Sequence, residues 1–343
     1  MAKRQLSKLQ QRRVKEKHNK KLSLDAFQDE GEFLAAQDGV VISRFGKVAD
    51  VENQQGEIYR CNIRRTLSSI VTGDRVVWRE NADAKINGVI EAVQPRTSEL
   101  VRPDFYDGIK AVAANVDQIV IISSVLPELS LNILDRYLVA CHATNIEPII
   151  VLNKIDLLSD AQWQEVNQIF AYYAQLGYSV LKISCQQKLG LEDLLCALQD
   201  RVSILVGQSG VGKSSIINEL FHEVIQVDVG DISTVSGLGQ HTTTSTKLYH
   251  LPFGGDIIDS PGIREFGLWH LEPEQVMNGF KELCEHLGNC RFRDCNHLDD
   301  PNCGLQTAVA EGKIAAWRLD NYHRILQSMR EVKAKTNRNF KLI

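Results

Sequence analysis

Long apolar runs are missing from this chain of 343 residues, and nothing in it approaches the roughly 18 residues that span a bilayer. Its basic opening leads into Lys8, Gln10, Gln11 and Arg12, so no apolar signal-peptide core follows, and a cytoplasmic protein with no membrane partner is expected. An evenly spaced cysteine framework is missing too. Of eight cysteines, three crowd between residues 290 and 303 and five are scattered, which argues against a disulfide scaffold and for a metal site. Net charge is also nearly absent: 39 Lys and Arg against 43 Asp and Glu leave −4, a balance that taken whole argues against a nucleic-acid partner. Taken by parts it does not. Residues 1–21 hold nine basic residues against Glu16, and residues 324–343 hold six against Glu331, so the body between carries a net −17. An acidic globule with two basic ends suits a protein whose arms meet a polyanion.

The hydrophobic pattern divides the chain into four parts. Residues 1–34 are polar, with sparse hydrophobes such as Leu6, Leu9, Val14, Leu22 and Leu24, so a basic tail that orders only on a partner is expected. Residues 35–110 contain short β-type runs broken by Gly and Asp: Val40 to Ile42, Lys47 to Val51, Ile58 to Ile63, Arg75 to Trp78 and Val89 to Val93. Five such runs predict a small OB-like barrel. In the third run Tyr59, Cys61 and Ile63 alternate with Ile58, Arg60, Asn62 and Arg64, giving one packing face and one basic face for single-stranded RNA. A Pro-punctuated link (Pro95, Pro103) leads into residues 111–270, where β-branched runs alternate with helical ones, the signature of a parallel sheet with helices on both faces. Residues 271–343 carry the crowded cysteines, then Ile314, Trp317, Tyr322, Ile325, Leu326 and Met329 at helical spacing, and a basic tail.

The chemistry falls at the ends of the expected parallel strands. Gly207, Gln208, Ser209, Gly210, Val211, Gly212, Lys213 and Ser214 follow an apolar strand and precede a helix starting near Ser215, which is the phosphate-binding loop pattern. Its glycines let backbone N–H groups turn inward on phosphates, Lys213 reaches the β and γ oxygens, and Ser214 offers a hydroxyl to Mg²⁺. Asn153-Lys154-Ile155-Asp156 decides the base: a carboxylate at Asp156 accepts from the guanine ring N–H and exocyclic amine, where adenine presents no donor. Asn153 is suited to tie this loop to the phosphate loop, and the stem of Lys154 to cover the base. Ser184 and Cys185, again just past a strand, supply the second base-facing loop. Asp259-Ser260-Pro261-Gly262 ends a further strand, with Asp259 placed to hold Mg²⁺ through water and the Gly262 N–H to sense the γ-phosphate.

Between these motifs residues 233–244 form a polar, glycine-containing segment, a candidate switch in which Thr243 completes the Mg²⁺ shell, with Thr242 and Thr244 as alternatives. The motif order is unusual, because Asn153 precedes Gly207 by 54 residues where GTPases commonly place the phosphate loop first. A parallel sheet opened at another loop keeps the site intact, so a circularly permuted P-loop GTPase domain is expected. Position 263, where many GTPases carry a water-orienting glutamine, is Ile263. His241 is the nearest residue by sequence able to take that role. Finally, Cys290, Cys295, His297 and Cys303 supply three thiolates and an imidazole, a closed tetrahedral set for one structural zinc ion.

The sequence thus predicts a multidomain α/β protein: an N-terminal OB-like β-barrel, a circularly permuted GTPase domain and a C-terminal zinc-binding helical domain. The motif order, the Gly-Gln-His-Thr-Thr-Thr segment and the Cys-x4-Cys-x-His-x5-Cys knuckle together resemble the ribosome small-subunit-dependent GTPases of the circularly permuted class, over residues 35–330 or so. The resemblance implies a bacterial cytoplasmic factor, monomeric and with no DNA partner, that binds the 30S subunit and its 16S rRNA late in maturation, hydrolyses GTP there and helps release an assembly factor. It implies His241 as the catalytic histidine and zinc at the four knuckle ligands. Ser184-Cys185 departs from the usual Ser-Ala. A GTP switch acting on another RNA, or on a protein partner alone, is the alternative reading.

Overall fold

The computed structural model describes residues 33–67, 69–81, 88–104, 108–225, 246–259, 268, 270–298 and 300–340. The first 32 residues, and with them the basic tail, lie outside the described residues.

Five strands close the barrel: β1 (Phe33–Phe45), β2 (Val48–Glu52), β3 (Ile58–Ile63), β4 (Arg75–Asn81) and β5 (Gly88–Val93). Their order is β1-β2-β3-β5-β4, and β4 pairs back onto β1. The core contains Val41, Ala49, Val51, Cys61, Ile70, Val76, Trp78 and Ile90. The predicted run at Val40 is the buried middle of β1, which extends to Phe33 and is long enough to pair with β2, β4 and a strand of the neighbouring sheet. In β3 the alternation holds, with Cys61 buried and Ile58, Arg60 and Asn62 exposed. The basic face is less open than expected, since Arg60 pairs with Asp50 at 2.8 Å and Arg64 with the buried Glu91.

The hairpin β6 (Glu99–Asp104) and β7 (Gly108–Ala114) takes up what sequence marks as a link. Pro103 is tolerated there because β6 is an edge strand, paired along one side only, with β7.

Next comes the doubly wound sheet: β8 (Gln118–Ser124), α1 (Leu131–Thr144), β9 (Glu147–Asn153), α2 (Asp160–Gln175), β10 (Ser179–Lys182), α3 (Leu191–Leu198), β11 (Val202–Val206), α4 (Lys213–Ile225), β12 (Lys247–His250) and β13 (Asp256–Asp259). Strand order is β10-β9-β8-β11-β13-β12, parallel except for β12. The β-branched run in β8 serves both faces at period two. Ile119 and Ile121 pack with Leu134, Tyr137, Phe170 and Tyr173 of α1 and α2, whereas Val120 and Ile122 pack with Leu194, Ile216 and Leu220 of α3 and α4.

Barrel and doubly wound sheet are joined edge to edge. Ser43 of β1 pairs with Lys247 of β12, and the Thr72 hydroxyl donates to the Thr246 carbonyl at 3.1 Å. His250, closing β12, lies between two carboxylates, with Nδ1 2.6 Å from Asp256 and Nε2 2.6 Å from Glu52 of β2.

The C-terminal part comprises α5 (Pro273–Asn278), α6 (Lys281–Cys284), α7 (Gly304–Ala310) and α8 (Ala316–Phe340). Ile314, Tyr322, Ile325, Leu326 and Met329 are buried, as their helical spacing predicts for a packing face. Fully buried Arg318 of α8 bonds Asp135 of α1 and Glu282 of α6. Tyr173 and Asn321 each donate to Asp135 at 2.6 Å, and the guanidinium lies 4.4 Å from the Phe280 ring centre. Every charge in this cluster therefore has a partner, which a buried guanidinium requires.

Candidate functional site

Four motif segments meet at the carboxyl edge of the parallel strands, where ligands of such sheets bind. The phosphate-loop segment leaves β11 and enters α4 with Gly207, Gly210 and Gly212 at φ of +147°, +83° and +100°. At Gly207 a Cβ would lie 2.2 Å from the Ile122 carbonyl oxygen, so the bare backbone is required for the turn itself. The Lys213 ammonium donates to the Gly207 and Gln208 carbonyls at 2.8 and 2.6 Å, folded back across its own loop. Ser214 and Ser215 are exposed at the head of α4.

Asn153 is the link expected from sequence. Buried at the end of β9, it donates from Nδ2 to the Val211 carbonyl at 2.9 Å and accepts from the Lys154 amide at 2.8 Å. Lys154 stands in the left-handed region, φ +63°, and its ammonium bonds the Gly210 carbonyl at 2.6 Å and the Leu126 carbonyl at 2.7 Å. Both side chains thus clamp the phosphate-loop segment. The second loop folds on itself, with reciprocal backbone bonds of 3.0 Å between Ser184 and Leu189 around a fully buried Ser184.

Between these loops opens a cleft of about 320 Å³ lined by Asn153, Lys154, Asp156, Cys185, Gly212 and Ser215, together with Leu157, Gln186 and Glu219. That volume lies in the range of small-molecule sites. Burial, with Glu219 and Asp156 nearby, pushes the Cys185 thiol up to about 11, so it is neutral near pH 7. Glu219 was not singled out from the sequence. The signal was available: on a helix starting at Lys213, it lies one turn beyond Ser215 on the same face.

Asp259 ends β13, half-buried. Burial raises its carboxyl above the usual carboxylate range, and the neighbouring Lys213 ammonium opposes this. Gly262, His241 and Thr243, and with them Thr242 and Thr244, lie outside the described residues.

The metal-binding group is compact. The ligand atoms of Cys290, Cys295, His297 and Cys303 all lie within 4.8 Å of one another. Both Cys290 Sγ and Cys303 Sγ are 3.5 Å from His297 Nδ1, and the two sulfurs are 4.0 Å apart. Tetrahedral Zn–S and Zn–N bonds imply separations of about 3.8 Å for S···S and about 3.5 Å for S···N. The Gly304 amide at the head of α7 donates to Cys290 Sγ at 3.3 Å, and Gln306 holds the His297 carbonyl at 3.0 Å. The group can hold a metal ion.

The model of the RsgA GTPase family matches residues 93–269. A small ribosomal subunit biogenesis GTPase RsgA of Klebsiella pneumoniae is 57% identical, over 99% of this chain and 99% of its own length. The chain belongs to the RsgA GTPase family. A protein of the same description from Pectobacterium carotovorum is 56% identical over 98% of both chains. Among solved structures, YjeQ from Thermotoga maritima matches with TM-score 0.68 and 34% identity, over 86% of this chain and 98% of its own. YloQ, described as a circularly permuted GTPase, matches with TM-score 0.65 and 27% identity, over 90% and 99%. These likenesses reach across the barrel, the permuted sheet and the C-terminal helices.

Proposed function

We propose that this protein binds GTP in the cleft between the loops after β9, β10 and β11, and hydrolyses it on the small ribosomal subunit as part of that subunit's late maturation. The observation that carries the nucleotide reading is the double clamp of Asn153 and Lys154 on the Val211 and Gly210 carbonyls, which fixes a base-reading loop against a phosphate loop. With that spacing fixed, Asp156 accepts from the guanine N–H groups while a backbone amide of the Ser184-Cys185 loop meets the guanine carbonyl. The loop from Gly207 to Ser214 wraps the phosphates at the head of α4. Lys213 exchanges its two loop carbonyls for β and γ oxygens.

In hydrolysis a water attacks the γ-phosphorus, the bond to the β-phosphate oxygen breaks, and His241 orients the water in place of the missing glutamine. Ser214, Thr243 and, through water, Asp259 would hold magnesium, which neutralises charge developing on the phosphates. Gly262 senses the γ-phosphate. The Cys290, Cys295, His297 and Cys303 group would hold zinc in a closed, structural site, which the tetrahedral separations support.

The small-subunit reading rests on the relatives' printed function at 57% identity over nearly the full chain. On this reading the protein works in the cytoplasm as a monomer, with 16S rRNA as the polyanion for its basic ends. Co-sedimentation with small subunits, large subunits and tRNA, in a non-hydrolysable GTP analogue or GDP, tests it. Analogue-dependent pelleting with small subunits alone is expected. Equal association with tRNA or large subunits would favour another RNA, and no RNA-dependent pelleting a protein partner.

A further inference from the structure

The loop following β10 carries a lysine in an unusual position. Lys188 lies in the left-handed region at φ +55°, which bulky side chains seldom adopt. It sits in the turn closed by the reciprocal Ser184–Leu189 backbone bonds and steadied by the Gln187 amide on Ser184 Oγ at 3.1 Å. From that turn its ammonium reaches Glu219 of α4 at 2.6 Å. Glu219 is no remote surface acid. It lines the cleft with Asp156 and Cys185, on the helix whose head carries Ser214 and Ser215. The ion pair therefore ties the loop that lines the base cleft through Cys185 and Gln186 to the helix that lines it through Glu219.

We propose that Lys188 and Glu219 form a latch that holds the base-facing loop over bound guanine and sets how long the nucleotide stays. Both are positioning residues, acting through the backbone of residues 184–189, and the inference rests on the reading of this cleft as the guanine site. Opening the latch frees the loop to move away from the base, so the effect falls on release. The lysine side chain is about half exposed at 55%, against 22% for the glutamate, so the pair is screened by salt and its effect is moderate.

The test uses the full chain and a fluorescent GDP, with dissociation followed by stopped flow. Lys188→Ala and Glu219→Gln are expected to release it about two- to fivefold faster at low salt, the range an exposed ion pair supports. The gap to the unmodified protein should close as salt rises, and the reversed pair Lys188→Glu with Glu219→Lys should restore slow release. Unchanged dissociation in both single variants, or no recovery in the reversed pair, would overturn the latch. Asp156→Asn, run in parallel with xanthosine nucleotides, separates the two readings. A shift to xanthosine together with unaffected latch variants rejects the latch alone, whereas no shift rejects the guanine cleft on which it depends.

Discussion

At Gly212 a Cβ would stand 2.4 Å from Asn153 Nδ2, so the base loop and the phosphate loop interlock without room for one methyl group. That contact joins residues far apart in sequence, and it explains why chain order is immaterial to the site. The sequence displayed every participant in the clamp but not Glu219 or Lys188, because their pairing depends on how a loop and a helix face each other in space. Two predictions belong at this scale. Asp156→Asn should exchange an acceptor for a donor at the base and shift preference from GTP to xanthosine triphosphate, read by competition binding. His241→Ala should keep GTP affinity within a few-fold and reduce turnover on small subunits by about 10²-fold or more, in line with loss of a positioned general base or water-orienting group. Turnover retained in that variant would remove His241 from the mechanism.

Among elements, the strands with alternating runs and the helix with clear periodicity were legible: β2, β3 and β5 fall within a residue of the runs that mark them, and the spacing from Trp317 to Met329 falls on α8. The hairpin β6–β7 was hidden by Pro103 and by its charged residues, and β12 by having only four residues. Least legible were the contacts between modules. Arg318 reads in sequence as one more basic residue of the last helix, whereas its carboxylate partners lie 183 and 36 residues away.

Arg318→Met should leave Asp135 and Glu282 buried without their cation and destabilise the fold by about 3–5 kcal/mol, measured by denaturant unfolding. A loss under about 1 kcal/mol would show that the cluster rearranges instead. His250 predicts a pH dependence at the barrel junction. Its hydrogen bond to Asp256 and, after the opposing cost of burial, its bond to Glu52 push its pKa up to about 9. A raised folded pKa means that the charged form stabilises the junction fully below the ordinary histidine value near 6.5, and that this is lost as pH rises through about 9. The melting temperature of His250→Gln should therefore fall below that of the unmodified protein at pH 6 and approach it at pH 9.5. An equal gap at both would reject a charged bridge.

For the whole molecule, the near-zero net charge that first counts against RNA conceals two basic ends on an acidic body, and the fold suggests how binding reaches the nucleotide. The barrel is continuous with β12, the strand that begins directly after the candidate switch segment, and α8 is anchored on α1 beside the nucleotide-binding sheet. A surface that engages the barrel and the C-terminal helices together can therefore constrain both flanks of the nucleotide site. Hydrolysis is therefore expected to depend on this engagement. The most direct measurement is the GTP turnover rate of the full chain alone, with small subunits, with large subunits and with tRNA, at one ionic strength. Slow turnover alone and a marked acceleration by small subunits only are expected; equal rates in all four conditions would refute the coupling.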